Sequence, residues 1–301
     1  MIPRWGCHVF WQGIDLAALL LEAQKQGQSC IQTFFGSSDS FSRSKLTDED
    51  RKACTSFIAK NNFAFVTHFP YKLNMCNQDV SMGTLQSEIQ RVAAIGGRVV
   101  LHTGSCTFSK TENRKVKTLG AAAKKEWEQD WKRGADILCR HLKSLDYTGK
   151  CEYPLLLEPP AGEGKKLGWT FEQLKYIYEN APKEVGFCLD TCHAFAAGMC
   201  KFDSPDSIMI LWDNLRNSLG DMKRFKLIHL NDSQDEFGAM KDRHATLCEG
   251  RIWTDEGNRN GLFALFAMAG LEGVDVVSEC GTERDAKVMK ELADLIHELE
   301  V

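Results

Sequence analysis

The feature that most constrains the fold is a regular alternation of two hydrophobic periods along the chain. Short apolar, β-branched or aromatic runs, typical of buried strands, alternate with longer segments of helical period. The predicted strands are Trp5–Phe10, Ser29–Phe35, Phe63–Phe69, Arg98–His102, Pro154–Glu158, Val185–Asp190, Phe225–Leu230 and Val274–Glu279. The clearest predicted helices between and after them are Ile14–Lys25, Thr47–Asn61, Val80–Ala94, Ala121–Leu145, Phe171–Ala181 and Arg284–Leu299. Thr47 and Asp50 have the spacing of a capping box at the start of the second helix.

Eight strands that alternate with helices predict parallel βα units. Such units close most naturally into a (β/α)8 TIM barrel, and a chain of 301 residues is long enough for one. The alternative, an open doubly wound sheet, would usually show a Gly-rich GxGxxG loop after its first strand, and residues 10–15 do not contain one. We therefore predict an α/β fold, a single TIM-barrel domain over residues 1–301.

Composition excludes several classes of protein. With 37 Lys and Arg against 41 Asp and Glu, the formal net charge is −4, which argues against attachment to nucleic acid through bulk charge but leaves a local basic surface open. The N-terminus lacks the apolar region of a signal peptide, and the longest apolar stretch, Gly261–Leu271, is too short to span a bilayer. Twelve scattered cysteines then favour reduced thiols. We expect an intracellular protein, cytoplasmic or nuclear, without a membrane partner.

Metal-binding residue types stand at the ends of six consecutive predicted strands. They are His68, His102, Glu158, Asp190, His229 and Glu279. All six fall at the carboxyl ends of their strands, the face on which barrel active sites are built. A single polar residue there is more often a satisfied core group or a helix cap, but four or more converging carboxylates and imidazoles would repel or stay partly protonated without a cation. The pattern predicts a divalent metal site.

Three further residues extend this set. His193 follows Asp190 by three positions, and Asp242 and His244 form an Asp-x-His pair in a long loop after the seventh strand. In extended conformation that pair points to one face, so together with His193 it could complete a separate site. Imidazole and carboxylate ligands without ordered thiolates favour zinc or manganese in a catalytic role. Cys188 and Cys192 are expected to pack as small hydrophobic side chains.

Two long motifs carry a resemblance to a known family. The segments GFCLDTCHAFAAG, residues 186–198, and HLNDSQDEFGAMKDRHATLCEG, residues 229–250, resemble the most characteristic motifs of the endonuclease IV family of apurinic/apyrimidinic (AP) endonucleases. His68 in VTHFPY, His102 in LHTGS, Glu158 in LLLEPPAGEG and Glu279 in VVSECG fit in order, so the resemblance runs from about residue 5 to 280. It implies hydrolysis of duplex DNA 5′ to abasic sites in base-excision repair, with cleaning of blocked 3′ ends as a second activity.

The resemblance also implies three zinc ions, for which manganese could substitute. One ion would be held by His68, His102 and Glu158, and a second by the bridging Glu158 with Asp190, His229 and Glu279. The third would take His193, Asp242 and His244. Glu158 and Glu279 would be the catalytic residues, and Glu279 would orient or deprotonate the attacking water.

The DNA contacts implied by the resemblance are less complete. Tyr71 matches a family tyrosine that contacts the distorted duplex, whereas residues 36–43 carry acidic Asp39 near the usual basic position. Phe41 or Arg43 would then replace the usual Arg, unless the loop is a plain polar turn. Lys110, in the basic stretch from 109 to 133, is a candidate phosphate contact, the alternative being a solvated surface. Cys248 replaces the usual Gly of an LGEG turn, and we expect a monomer.

Two other functions remain open at this stage. A metal-dependent sugar isomerase or epimerase could use the same barrel, but it does not need the third residue group. A damage-binding protein could recognise abasic DNA without cutting it. Intact Glu158 and Glu279 argue against the latter, because a non-catalytic binder has no physical need for a bridging carboxylate.

Overall fold

The computed structural model describes residues 1–11, 15–42, 46–220 and 222–300. The barrel strands are β1 (Trp5–Cys7), β2 (Cys30–Phe34), β3 (Ala64–His68), β4 (Arg98–His102), β5 (Leu155–Glu158), β6 (Val185–Asp190), β7 (Phe225–His229) and β8 (Asp275–Ser278). The α-helices are α1 (Leu16–Lys25), α2 (Asp48–Asn61), α3 (Gly83–Ala94), α4 (Ala121–Lys143), α5 (Phe171–Asn180), α6 (Thr191–Ala197), α7 (Pro205–Leu219), α8 (Glu256–Glu272) and α9 (Glu283–Glu300). Two-residue strands, Asp232–Ser233 and His244–Ala245, form a separate antiparallel ribbon.

The eight barrel strands form one parallel sheet that curves back on itself. Each strand from β2 to β7 pairs with the next along the chain, β7 pairs with β8, and β8 pairs with β1. Between β1 and β2 the closure consists of a parallel bridge between His8 and Gln32 and a hydrogen bond from the Ser29 N–H to the Trp5 carbonyl, 2.9 Å. The predicted TIM-barrel fold in a single domain is confirmed.

The barrel interior explains where the site stands. Successive residues of a strand face opposite sides, so residues two apart share a face. A small buried cluster fills the interior: Cys30, Ala64, Val66, Val100, Tyr153, Leu156, Cys188, Leu227 and Val277. Two positions further along β3 to β8, the same face reaches His68, His102, Glu158, Asp190, His229 and Glu279. Because side chains alternate in this way, all six point into the barrel interior at its carboxyl end.

The outer helices bury a larger apolar layer against the strands. The capping box predicted at the start of α2 is present, because Thr47 and Asp50 bond each other's backbone N–H groups. The helices α7 and α8 were not among the predicted ones. A second capping box, Ser204 with Ser207, starts α7, and α8 contains the apolar stretch Gly261–Leu271. Within the described residues, the chain has no helix of the length and apolarity that crossing a bilayer requires.

Candidate metal centre

The fold brings all nine predicted metal-ligating residues to one end of the barrel. Six come from the ends of β3 to β8, with Glu279 directly after β8. His193 lies in the first turn of α6, which Asp190 caps by accepting a hydrogen bond from the His193 N–H at 2.7 Å. Asp242 and His244 come from the loop and ribbon after β7. The ends of these strands and one anchored loop together form a dense cluster of carboxylates and imidazoles.

Glu158 is the centre of this cluster. Its carboxylate is fully buried, and its Oε2 atom lies 3.0 Å from the Nε2 atoms of both His68 and His102. The opposite oxygen, Oε1, lies 2.9 Å from Nδ1 of His229. Each oxygen therefore faces a different imidazole group, which is the arrangement a carboxylate needs to bridge two cations.

Two of the residue groups match the predicted ligand sets. His68, His102 and Glu158 each offer a ligand atom within 4.8 Å of the other two. The same holds for Glu158, Asp190, His229 and Glu279. Glu158 is common to both groups, so the geometry is compatible with two ions that share it.

The third group is built around Asp242. Its Oδ1 atom lies 3.1 Å from Nε2 of His193 and 3.1 Å from Nε2 of His244. The Cys192 thiol also comes within ligand distance of Asp242 and His244. Burial raises the pKa of Cys192 far above its ordinary value, and its Sγ donates to the Arg243 carbonyl. This protonated thiol is a poorer ligand than His193, because a thiolate is the species that binds metal.

Unsatisfied ring nitrogens support a cation in the third group. In the described part of the chain, the Nε2 atoms of His193 and His244 are buried without a hydrogen-bond partner, although Asp242 is close to both. A buried polar atom of this kind calls for an explanation such as an ion. The other ring nitrogen of His193 bonds the Pro159 carbonyl at 2.9 Å, which leaves Nε2 free for ligation. The residues present therefore fit a metal.

The charges of the cluster also support a bound metal ion. Burial opposes ionisation of Glu158, but the imidazoles of His229 and His102 hold its pKa well below the ordinary range. Burial also opposes ionisation of Glu279, whose pKa is nevertheless lowered to about 2, chiefly by His229. Burial disfavours the charged form of His244, yet the carboxylates of Asp190 and Asp242 raise its pKa to about 9. Ionised carboxylates thus hold a proton on His244 when no metal ion supplies the positive charge.

Two buried amides beside the cluster were missed from the sequence. Gln32 on β2 bonds both His229 and Glu279. The Asn231 side chain donates to Asp190 Oδ2 at 2.5 Å and to Glu279 Oε2 at 3.0 Å. Gln32 lies on the inward face of its strand, in the same parity as the ligands, and that signal alone could have found it.

A buried carboxylate that is not a ligand holds the loop that follows the ribbon. The side chain of Asp232 accepts backbone N–H bonds from residues 233, 248, 250 and 252, over 2.8–3.2 Å. Cys248 within this loop has a φ of 63°, the left-handed region that glycine enters without strain. Cys248 therefore takes a backbone conformation that favours glycine.

Tyr71 lies beside the cluster, and Lys110 lies in the segment between β4 and α4. The half-exposed Tyr71 ring lies 5.1 Å from the His68 ring and 5.3 Å from the His102 ring, measured between centroids. Lys110 is exposed and its Nζ lies 3.4 Å from Glu126 Oε1. Arg43 lies outside the described residues. DNA contacts at these positions stay predictions.

The fold and centre define a class, a TIM barrel with several clustered metal-ligand groups at its carboxyl face. A family described as xylose isomerase-like TIM barrel matches residues 20–299. The chain is 28% identical to the probable endonuclease 4 of Symbiobacterium thermophilum, over 96% of this chain and 97% of that protein. It is 30% identical to the endonuclease 4 of Thermus thermophilus, over 83% of this chain and 84% of that protein.

Solved structures agree with the sequence comparison. The crystal structure of endonuclease IV from Thermus thermophilus superimposes with a TM-score of 0.73, at 27% identity, and covers 98% of this chain and 100% of that one. The structure of L-ribulose 3-epimerase has a TM-score of 0.54 at 15% identity over 99% of this chain and 94% of that one, which shows the shared fold alone. The chain belongs to the endonuclease IV family.

Proposed function

We propose that this protein is a zinc-dependent AP endonuclease of base-excision repair that hydrolyses duplex DNA 5′ to abasic sites. The observation that carries the proposal is the presence of two ligand groups that share Glu158, together with His193 and His244 on either side of Asp242, in a chain that matches endonuclease 4 proteins along nearly its whole length. Cleaning of blocked 3′ ends would be a second activity of the same centre, because it cleaves a similar phosphodiester.

Three residue groups would hold three zinc ions, with manganese as a substitute. The first would be His68, His102 and Glu158, the second Glu158, Asp190, His229 and Glu279, and the third His193, Asp242 and His244. When bound, such ions would supply a nucleophile at neutral pH and would neutralise charge that develops on the phosphate.

The protein's own residues would perform the remaining tasks. Glu158 would hold the first two groups in register, because its two oxygens face different imidazoles. Glu279 would orient the attacking water, since its low pKa keeps it ionised at neutral pH. It would deprotonate that water only if bound metal had already made the water acidic, because a carboxylate of such low pKa is a weak base. Tyr71 would contact the duplex at the rim as a neutral phenol, because partial burial and the nearby carboxylates of Glu279 and Glu158 raise its pKa above the ordinary value.

A sugar isomerase or epimerase is the main alternative. The third group argues for the nuclease, since His193, Asp242 and His244 add a set of ligands that such an isomerase does not need. A non-catalytic abasic-DNA-binding protein would not need the buried bridging position of Glu158. Neither alternative is favoured by a specific contact in the centre.

The test is metal analysis followed by cleavage of a duplex with one abasic site. We expect bound zinc in the purified full-length chain and a nick 5′ to the lesion that a chelator abolishes. The variants His229→Ala and Glu279→Gln should lose incision, and Glu279→Gln should keep its fold. Full metal content without a nick, or unchanged turnover in Glu279→Gln, would contradict the proposal.

A further inference from the structure

A glutamine lies on the inward face of β2, whereas the inward faces of β3 to β8 end in candidate metal ligands. The inward face of β2 carries Cys30, Gln32 and Phe34, and the Gln32 side chain is fully buried. A buried amide must find partners for its oxygen and its nitrogen, because an unsatisfied one costs about 1–3 kcal/mol. The hydrogen-bond partners of the Gln32 amide therefore indicate the role of this side chain.

The amide of Gln32 connects two candidate ligands of the second group. Its Oε1 atom accepts a hydrogen bond from His229 Nε2–H at 2.8 Å, and its Nε2 atom donates to Glu279 Oε1 at 2.8 Å. The orientation of the amide is determined by Glu279, since an ionised carboxylate can only accept. The same Nε2 atom lies 3.4 Å from Nδ1 of His8.

These contacts determine which nitrogen of His229 is available. Because Gln32 takes the proton on Nε2, the other nitrogen, Nδ1, presents its lone pair when the ring is neutral. That Nδ1 lies 2.9 Å from Glu158 Oε1 and 3.4 Å from Glu279 Oε2, inside the second group. Loss of the Gln32 oxygen would let the ring exchange tautomers or rotate.

Glu279 is held by two amides in the same way. Gln32 donates to its Oε1, and Asn231 donates to its Oε2 at 3.0 Å. Asn231 also accepts from the Glu279 backbone N–H at 2.9 Å, so backbone and carboxylate are fixed together. The plane of the Glu279 carboxylate is therefore set by side chains that do not ligate metal.

We propose that Gln32 is a positioning residue that fixes the His229 tautomer and the Glu279 carboxylate plane for the second metal. The catalytic part of this inference rests on the proposed function, whereas the metal-binding part does not. Partners that orient metal ligands typically change metal affinity by about 10–100-fold when they are lost. Gln32, like Asn231, serves two candidate ligands with one amide.

The variant Gln32→Met tests this, with Gln28→Met as the matched control. Met retains most of the side-chain volume and removes both hydrogen bonds. Gln28 is also buried, but its amide accepts from the Cys7 N–H at the end of β1 and donates to the Gln26 side chain, and neither partner is a candidate ligand. Zinc affinity would be measured by competition with a chromophoric chelator, and the imidazole N–H signals by NMR of the ¹⁵N-histidine-labelled, zinc-loaded protein.

We expect Gln32→Met to weaken at least one zinc site by about 10–100-fold and to shift or lose the His229 Nε2–H signal. On abasic duplex, kcat should fall while KM changes by less than about threefold, the sign of a defect in the chemical step. Gln28→Met should change neither zinc affinity nor that signal. If Gln32→Met fails to fold, Gln32→Asn, whose shorter amide cannot reach both partners, should show the same losses.

Wild-type zinc affinity and an unchanged His229 signal in a folded Gln32 variant would overturn the positioning role. The proposed function fails differently, since zinc-loaded wild type would then leave abasic DNA intact. In that case the affinity and NMR measurements would still decide the role of Gln32.

Discussion

The stability of the metal-free protein should fall as pH rises from 6 to 9. His244 carries one such contribution, because Asp190 and Asp242 overcome the effect of burial and raise its pKa from 6.5 to about 9. A rise of this size corresponds to about 3 kcal/mol of stability. This stabilisation is complete below the pKa that His244 has in the unfolded chain. It is lost as pH rises past the pKa that His244 has in the folded protein. His193 and His229, whose pKa values are also raised, act in the same direction.

The zinc-loaded protein should lose less stability than the metal-free protein as pH rises from 6 to 9, or should gain stability. Ligation requires neutral imidazoles, so zinc competes with fewer protons as pH rises. Urea unfolding at pH 6, 7.5 and 9, with chelator or with stoichiometric zinc, separates the two forms. For a chain of this size the metal-free melting temperature should fall by roughly 6–12 °C if ~3 kcal/mol is lost.

Two variants make the assignment specific. His244→Gln should reduce the metal-free pH dependence by the His244 contribution of about 3 kcal/mol. His141→Gln should retain the full dependence, because His141 lies on α4 and bonds the Met75 carbonyl. A metal-free protein that is as stable at pH 9 as at pH 6 would refute the reasoning. That result would mean that the imidazoles of the cluster do not carry the charge that balances the carboxylates.

Other perturbations probe the centre, its loop and its rim. Glu158→Gln should bind fewer zinc ions in elemental analysis, since it removes the charge shared by two ligand groups, and full zinc content would exclude a bridging role. Asp232→Ala leaves four backbone N–H groups without their acceptor and should lower the free energy of unfolding by about 3 kcal/mol in urea denaturation; a change near zero would show that water replaces the carboxylate. Tyr71→Ala should raise the Kd for abasic duplex about tenfold in fluorescence anisotropy, with Tyr71→Phe near wild type if ring stacking is the contact. Lys110→Glu should reduce the salt dependence of duplex binding by about one phosphate contact, and an unchanged slope would place Lys110 off the DNA.

The barrel and six of the nine candidate ligands could be predicted because one pattern encodes both. In a buried strand that ends in His or a carboxylate, the same few residues give both the hydrophobic pattern of the strand and the polar residue whose burial costs free energy. The strand β5, which ends at Glu158, is an example. The strand β1 is shorter than predicted, because it ends at Cys7 and the chain beyond it keeps only isolated contacts, the His8–Gln32 bridge and the His8 N–H bond to the Ser278 carbonyl at 2.7 Å among them. The helix α8 was missed because its apolar residues surround it and give little helical period.

The third group was predicted from the spacing of His193, the Asp-x-His pair and the family resemblance, whereas the contacts that bring its members together are tertiary. Asp242 and His244 lie on a loop, and their approach to His193 requires that loop to be anchored. Asp235 supplies one anchor through its ion pair with Arg243. Gln32 and Asn231 were missed for a different reason, since neutral amides carry no charge that marks them as part of a metal centre.

The net charge of the chain acquires a different meaning once the centre is considered. A formal charge of −4 argues against a polyanionic ligand only if the charges are spread over the surface. Here four carboxylates, Glu158, Asp190, Asp242 and Glu279, converge on one face of the barrel, and three divalent ions, as proposed, would change the formal charge from −4 to +2. The change would occur at the place where a phosphate must bind, because the ions and the carboxylates occupy the same few ångströms. The overall acidity of the metal-free chain is therefore compatible with a DNA substrate.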